Sequence, residues 1–223
     1  MPELTAAGRA RPPDHQTIGL LWAVVVLRFA ALAWATVVVA IDVNGVTELR
    51  AGLAVAALAA LAGWSLALGW LVRRRPRVVA SNWVLVLDVG LAALVAALDH
   101  VVYQGPHPQT FASVWPMSAA VVAGLLRGSR IGAAAGLLIG ASSAAGTALA
   151  LDEGLAGRWT STIGTIVLLV VAGVLAGLVT VVLRRADAAE ARADAREEVA
   201  RRLHDGVLQT LAVVQRRSQD PDL

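Results

Sequence analysis

Near residue 200 the chain reads Arg201-Arg202-Leu203-His204-Asp205, with Gln209 four residues further on. On a helix Leu203, Val207 and Leu211 fall on one side, and His204 stands about 100° round from Leu203. A histidine beside an apolar seam is exposed enough to react. The carboxylate of Asp205 can hold one ring nitrogen protonated and leave the other as a nucleophile. Taken alone, a His-Asp pair on a helix is more often a solvated surface pair than a reactive one.

Two further ionisable residues, Arg28 and Asp88, lie deep inside apolar segments. A charge at that depth costs about 2.5–3.5 kcal/mol unless it is paired or hydrated. Two readings are open: an Arg28–Asp88 pair that sets helix packing or responds to a signal, or independent contacts with water or headgroups. Asp99, His100, Tyr103 and His107 gather in one short stretch, but their spacing matches no regular metal geometry and Gly105-Pro106 implies a loop. There is no cysteine, which excludes disulfides and thiolate sites. No metal or cofactor site is expected in this chain.

The elements that must position these residues are set by composition. The chain has 223 residues, is 57% hydrophobic and only 16% charged, and has a mean hydropathy of +0.68. A soluble domain is about 45–50% apolar and about 25% charged. The excess sits in runs long enough for a helix to cross a hydrocarbon core of roughly 30 Å. Six such segments fall at residues 17–41, 53–72, 78–98, 110–126, 131–151 and 160–183. The fourth is the shortest and holds Pro116, so a tilted, kinked or re-entrant path is open to it. In lipid every backbone polar group needs an internal partner, so each segment is expected as a helix.

All basic side chains are arginines, and their positions predict the topology. Arg9, Arg11, Arg73, Arg74, Arg75, Arg77, Arg127, Arg130, Arg184 and Arg185 flank one side of the six segments; Arg50 and Arg158 flank the other. That is ten against two, which places both termini in the cytoplasm of a multi-pass plasma-membrane protein. The pI near 10.8 is therefore a topology signal and not a nucleic-acid patch. Trp22, Trp34, Trp64, Trp70, Trp83, Trp115 and Trp159 mostly fall near segment ends, as membrane-anchoring tryptophans do. Gly136 with Gly140, and Gly173 with Gly177, have the GxxxG spacing that permits close helix approach. Packing within the chain and a dimer face are both open.

After Leu183 the sequence turns to Ala, Asp, Glu and Arg, with strong helix propensity. No Gly or Pro occurs between Gly177 and Gly206, so the sixth segment is expected to run on as one helix. Glu197 with Arg201 and Glu198 with Arg202 are favourable i,i+4 pairs. Ala186, Ala189, Ala193, Ala200, Leu203, Val207 and Val214 form a 3/4-spaced seam suited to a helical dimer. The domain reading is a disordered cytoplasmic tail (1–16), a six-span membrane domain (17–183), a helical linker (184–200) and a last segment (201–223). The fold class is all-α: a polytopic membrane helical bundle of about six transmembrane helices, with a C-terminal cytoplasmic helix that starts a hairpin.

That last segment resembles the phosphoacceptor helix of NarL/DesK-type sensor histidine kinases, whose motif is HDxxxQ preceded by Arg-x-Leu. Arg201, Leu203, His204, Asp205 and Gln209 match it, over about twenty residues, and in that family a multi-span sensor feeds through a helical linker into this helix, the order expected here. It implies a two-component signal-transduction protein in which His204 accepts the γ-phosphoryl group of ATP. It implies that Asp205 is base and orienter, and that Gln209 positions water when a response regulator is dephosphorylated. It implies a homodimer through the C-terminal helix, a response-regulator partner and a membrane-lipid environment. ATP and magnesium belong to the parent kinase. No Asn follows Asn82 and only Gly206 follows Gly177, so the family's Asn-bearing ATP motif and glycine-rich lid are not expected here. The expectation is a truncated, excised or split kinase that does not phosphorylate itself. No segment outside the membrane is long enough for a folded ligand-binding domain, so any stimulus is expected within the bilayer or at its surfaces. A small multi-span transporter or channel is the alternative; the sequence shows no internal repeat for it.

Overall fold

The computed structural model describes residues 15–44, 50–102, 114–150 and 159–218, and for 203–218 the backbone path alone. Among the described residues every regular element is a helix: α1 (His15–Asn44), α2 (Ala51–Arg74), α3 (Pro76–Val79), α4 (Asn82–Val102), α5 (Trp115–Arg127), α6 (Ser129–Ala150) and α7 (Trp159–Ser218). Five of them, α1, α2, α4, α6 and α7, are long and apolar enough to cross a membrane. Their outer faces carry exposed large apolar side chains, such as Val26 at 65% and Val86 at 68%. Soluble monomers rarely show contiguous apolar patches of that kind. The protein is an all-α membrane helical bundle.

Two boundaries differ from the sequence expectation. The third segment was expected from residue 78, but the chain first makes the single turn α3 and then restarts as α4 at Asn82. Pro76 at the start of α3 explains why α2 stops before it, because proline fits a first helical turn and disrupts an interior one; the second interruption falls at Ala80-Ser81. The Ser81 hydroxyl donates to the Val78 carbonyl across the join at 2.5 Å. The fourth segment, expected at 110–126, is described from 114 onward, and its helix α5 has 13 residues. At 1.5 Å per residue that is about 20 Å, short of a bilayer core. Pro116 sits in its first turn.

Despite its length α5 is central to the packing. It packs against α1, α4 and α6; nine of its residues, from Trp115 to Leu125, are buried. Two apolar clusters fill the bundle. One holds Leu21, Val24, Val25, Val72, Val79, Val122 and Leu125. The other holds Ala31, Leu32, Ala35, Leu61, Ala92, Trp115, Ile139 and Leu169.

The glycines decide how α7 meets its neighbours. Gly132 of α6 and Gly173 of α7 lie face to face, and a Cβ added to either would come within 3.0 Å of the other's backbone. Gly136 and Gly140 face Leu169 and Ile166 of α7, and Gly177 faces Ser129. Both GxxxG pairs are therefore spent on packing within the chain. The Thr180 hydroxyl, also on α7, reaches the Ala176 and Leu125 carbonyls at 3.2 and 3.3 Å. The α5–α6 turn uses Gly128 at a φ of 90°, a value L side chains rarely adopt.

The chain divides into two compact units, Met1–Thr180 and Val181–Leu223. The first is the helical bundle. The second is the remainder of α7 and its tail, where Arg201–Glu197 and Arg202–Glu198 pair at 2.6 and 2.7 Å on an exposed helix surface. Pairs of this kind contribute about 0.3–0.5 kcal/mol each. The tail reading of 1–16 lies largely outside the described residues.

Candidate functional site

Between the two apolar clusters lies a buried polar network drawn from four helices. Arg28 of α1 and Asp88 of α4 are each 1% exposed. The guanidinium meets the carboxylate as a fork: Nη1 donates to Oδ1 at 2.8 Å and Nη2 to Oδ2 at 2.6 Å. Bidentate charge-assisted bonds of this length are the strong kind. Trp64 of α2 adds a third donor, its Nε1–H reaching Asp88 Oδ1 at 2.7 Å.

Trp115 completes the arrangement from α5. The Arg28 guanidinium carbon lies 4.9 Å from the centre of the Trp115 ring, within cation–π range. Trp115 itself is fully buried, and its Nε1–H donates to the Ser65 hydroxyl at 3.1 Å. Ser65 in turn donates to the Leu61 carbonyl at 2.7 Å. Ser118 donates to the Trp115 carbonyl at 2.6 Å. The Nε of Arg28 is buried without a hydrogen-bond partner.

The consequence is mechanical. One ion pair, two indoles and a hydroxyl tie α1, α2, α4 and α5 together at one level of an otherwise apolar bundle. In a medium without water each of these groups needs its partner. Replacing Trp64 by Phe keeps the ring volume and removes one donor to a buried carboxylate. The expected loss is about 1.5–3 kcal/mol, the range for hydrogen bonds to charged groups, read as a lower unfolding midpoint in detergent.

Sequence reasoning singled out Arg28 and Asp88 by depth and left their pairing open; the structure joins them. It gave Trp64 and Trp115 to membrane anchoring, and here the structure corrects it. Trp64 lies ten residues before Arg74, and Trp115 twelve before Arg127, so both sit well inside the bundle and their N–H groups must be satisfied there. Counting residues from the flanking arginines would have found them. Trp70 and Trp83, by contrast, are exposed at 55% and 56%.

His204, Asp205 and Gln209 fall on the helical backbone of α7, and their side chains lie outside the described residues. Tyr103 and His107 also lie outside, as does the side chain of His100. Among the described residues no three His, Asp or Glu side chains gather as metal ligands.

Fold and site together define the class: a membrane helical bundle organised around a buried Arg–Asp ion pair. No protein-family model matches the chain, and neither a curated protein nor a solved structure matches it.

Proposed function

We propose that this chain is the membrane sensor portion of a two-component histidine kinase, with His204 as phosphoacceptor and a response regulator as the downstream partner. The observation that carries the reading is α7. It is one helix, Trp159–Ser218, and it holds both an apolar stretch long enough to cross a membrane and the Arg-x-Leu-His-Asp-x-x-x-Gln segment. A change of packing around the apolar stretch would thus have a continuous backbone to act through. The ten-to-two arginine asymmetry supports cytoplasmic termini, the compartment in which ATP and response regulators reside. The 3/4-spaced seam from Ala186 to Val214 supports a homodimer.

In this reading a ring nitrogen of His204 attacks the γ-phosphorus of ATP. The N–P bond forms, the bond to the ADP oxygen breaks, and ADP leaves. Asp205 holds the other ring nitrogen protonated and stabilises the cationic ring. Phosphoryl transfer depends mainly on positioning and charge stabilisation, and a dimeric helix serves positioning. Gln209 orients water in the separate phosphatase reaction, in which the phosphoryl group of the response regulator is hydrolysed to inorganic phosphate. The stimulus acts on the bundle from within the bilayer or at its surfaces.

The test is transfer in trans. The chain in vesicles is mixed with an ATP-binding domain of the same family and γ-labelled ATP. The expected result is label on the wild-type chain and none on His204→Gln. Equal labelling of the two would sink the assignment.

The buried ion pair favours one other reading, a small multi-span transporter or channel, because intramembrane charges often mark ion paths. Proton or ion flux into vesicles that is lost in Asp88→Asn would favour that alternative.

A further inference from the structure

One end of the bundle carries a concentration of arginines that the ion pair and the kinase reading leave unused. Arg73 and Arg74 end α2, Arg75 follows it, Arg77 lies on α3, and Arg130 lies in the first turn of α6. All five are exposed. Among the described residues their guanidinium groups make no ion pair or hydrogen bond.

A further arginine at this end, Arg127, shows that these helix ends meet. From the last turn of α5 its Nη2 donates to the Ala80 carbonyl at 2.7 Å and to the Asn82 side-chain oxygen. The end of α5 is thereby fastened to the α3–α4 turn, with Gly128 leading directly into α6. Among the described residues before 181 the acidic ones are Asp42, Asp88 and Asp99. Asp88 is already paired and buried, while Asp42 and Asp99 lie near the far ends of α1 and α4. The positive charge of this rim is not neutralised from within the bundle.

The level of the rim is marked by two tryptophans. Trp70 precedes Arg73 by about one helical turn, Trp83 lies in the first turn of α4, and both are exposed. Exposed tryptophans of this kind belong at the headgroup level of a bilayer. Beside them Leu66, Val86 and Leu87 expose apolar side chains suited to acyl chains. A phosphate-bearing headgroup above and acyl chains below would match these two surfaces in order.

We infer that the rim formed by Arg73, Arg74, Arg75, Arg77 and Arg130 is a binding surface for anionic phospholipid headgroups. The guanidinium fork matches a phosphate with two parallel N–H donors, which an ammonium does not. A zwitterionic lipid carries the same phosphate beside a cation that the rim repels, so the unneutralised charge of the rim favours anionic phospholipid, while the fork strengthens the hold on its phosphate and is lost in part when arginine becomes lysine. It stands apart from the kinase reading and depends only on insertion of the bundle in a bilayer.

The probe is phosphatidylglycerol against phosphatidylcholine, mixed equally in nanodiscs holding the full chain, with lipids retained on the protein counted by native mass spectrometry. Wild type is expected to retain phosphatidylglycerol in excess. Arg73→Gln with Arg77→Gln should lower that excess by about five-fold for each arginine removed. Arg73→Lys with Arg77→Lys should fall between. The Gln variant keeps eight of the ten arginines on its side, so its insertion is preserved, and an unchanged unfolding midpoint confirms its fold. Equal retention of the two lipids by wild type would overturn the inference, and so would an unchanged excess in the Gln variant.

Discussion

Asp88→Ala is expected to destabilise the bundle by about 3–5 kcal/mol, the range for breaking a buried ion pair by removing one partner. The cause is not the lost attraction alone. Arg28 would remain 1% exposed with its fork unpaired, and the Trp64 Nε1–H would lose its acceptor. Arg28→Ala should cost a similar amount, because it strands the carboxylate and empties the space against the Trp115 ring. The informative variant is the double change Arg28→Met with Asp88→Leu. Replacing both charges by apolar groups of similar volume is often neutral or stabilising, so this chain should unfold well above either single variant in a detergent titration, and below wild type only by the cost of the Trp64 Nε1–H that loses its acceptor, about 1–3 kcal/mol. If the double variant is as unstable as either single one, the fork is not the link between α1 and α4. The charge exchange Arg28→Asp with Asp88→Arg adds a stricter check. Partial recovery over the single changes requires contact between the two positions.

The second large effect lies at Gly173. A valine there would place its Cβ within 3.0 Å of the Gly132 backbone. No side chain can rotate away, because the neighbour is main chain; α6 and α7 must separate. Overpacking typically costs about 1–3 kcal/mol, and a backbone clash belongs at or above the upper end. Gly132→Val should behave alike from the other side. Gly164→Ala is the contrast, since no neighbouring atom lies within 4 Å of its added Cβ. An alanine there should be neutral or stabilise the helix by about 1 kcal/mol. Comparable midpoints for Gly173→Val and Gly164→Ala would show that α6 and α7 are not in backbone contact.

Much of the fold was readable because lipid imposes few solutions. Apolar length and arginine spacing mark α1, α2, α4, α6 and α7, and the unbroken run from Gly177 to Gly206 anticipates the length of α7. What was not readable is three-dimensional. The sequence places Arg28 and Asp88 at similar depth but does not say which faces they occupy, and a bundle of several helices offers many neighbours. The indole donors were hidden for the same reason. Trp64 and Trp115 have the composition of membrane anchors, and only their partners, Asp88 and Ser65, reveal another role. The GxxxG spacings name glycines that permit close approach, and Gly132 extends the Gly136–Gly140 spacing by one step, but nothing in the spacing says that its partner is Gly173. The stop of α2 was legible in Pro76, whereas the restart of the helix at Asn82 was absorbed into a continuous apolar run.

The role assigned to His204 rests on a chemical event, and the direct measurement is to locate the phosphate. The chain is reconstituted with an ATP-binding domain of the family and labelled ATP, digested, and the modified residue identified by mass spectrometry with its acid and alkali stability. A phosphoacceptor histidine predicts one phosphate on His204, lost in acid, kept in alkali and absent from His204→Gln. An acid-stable phosphate on a hydroxyl side chain, or labelling that survives in His204→Gln, would contradict it.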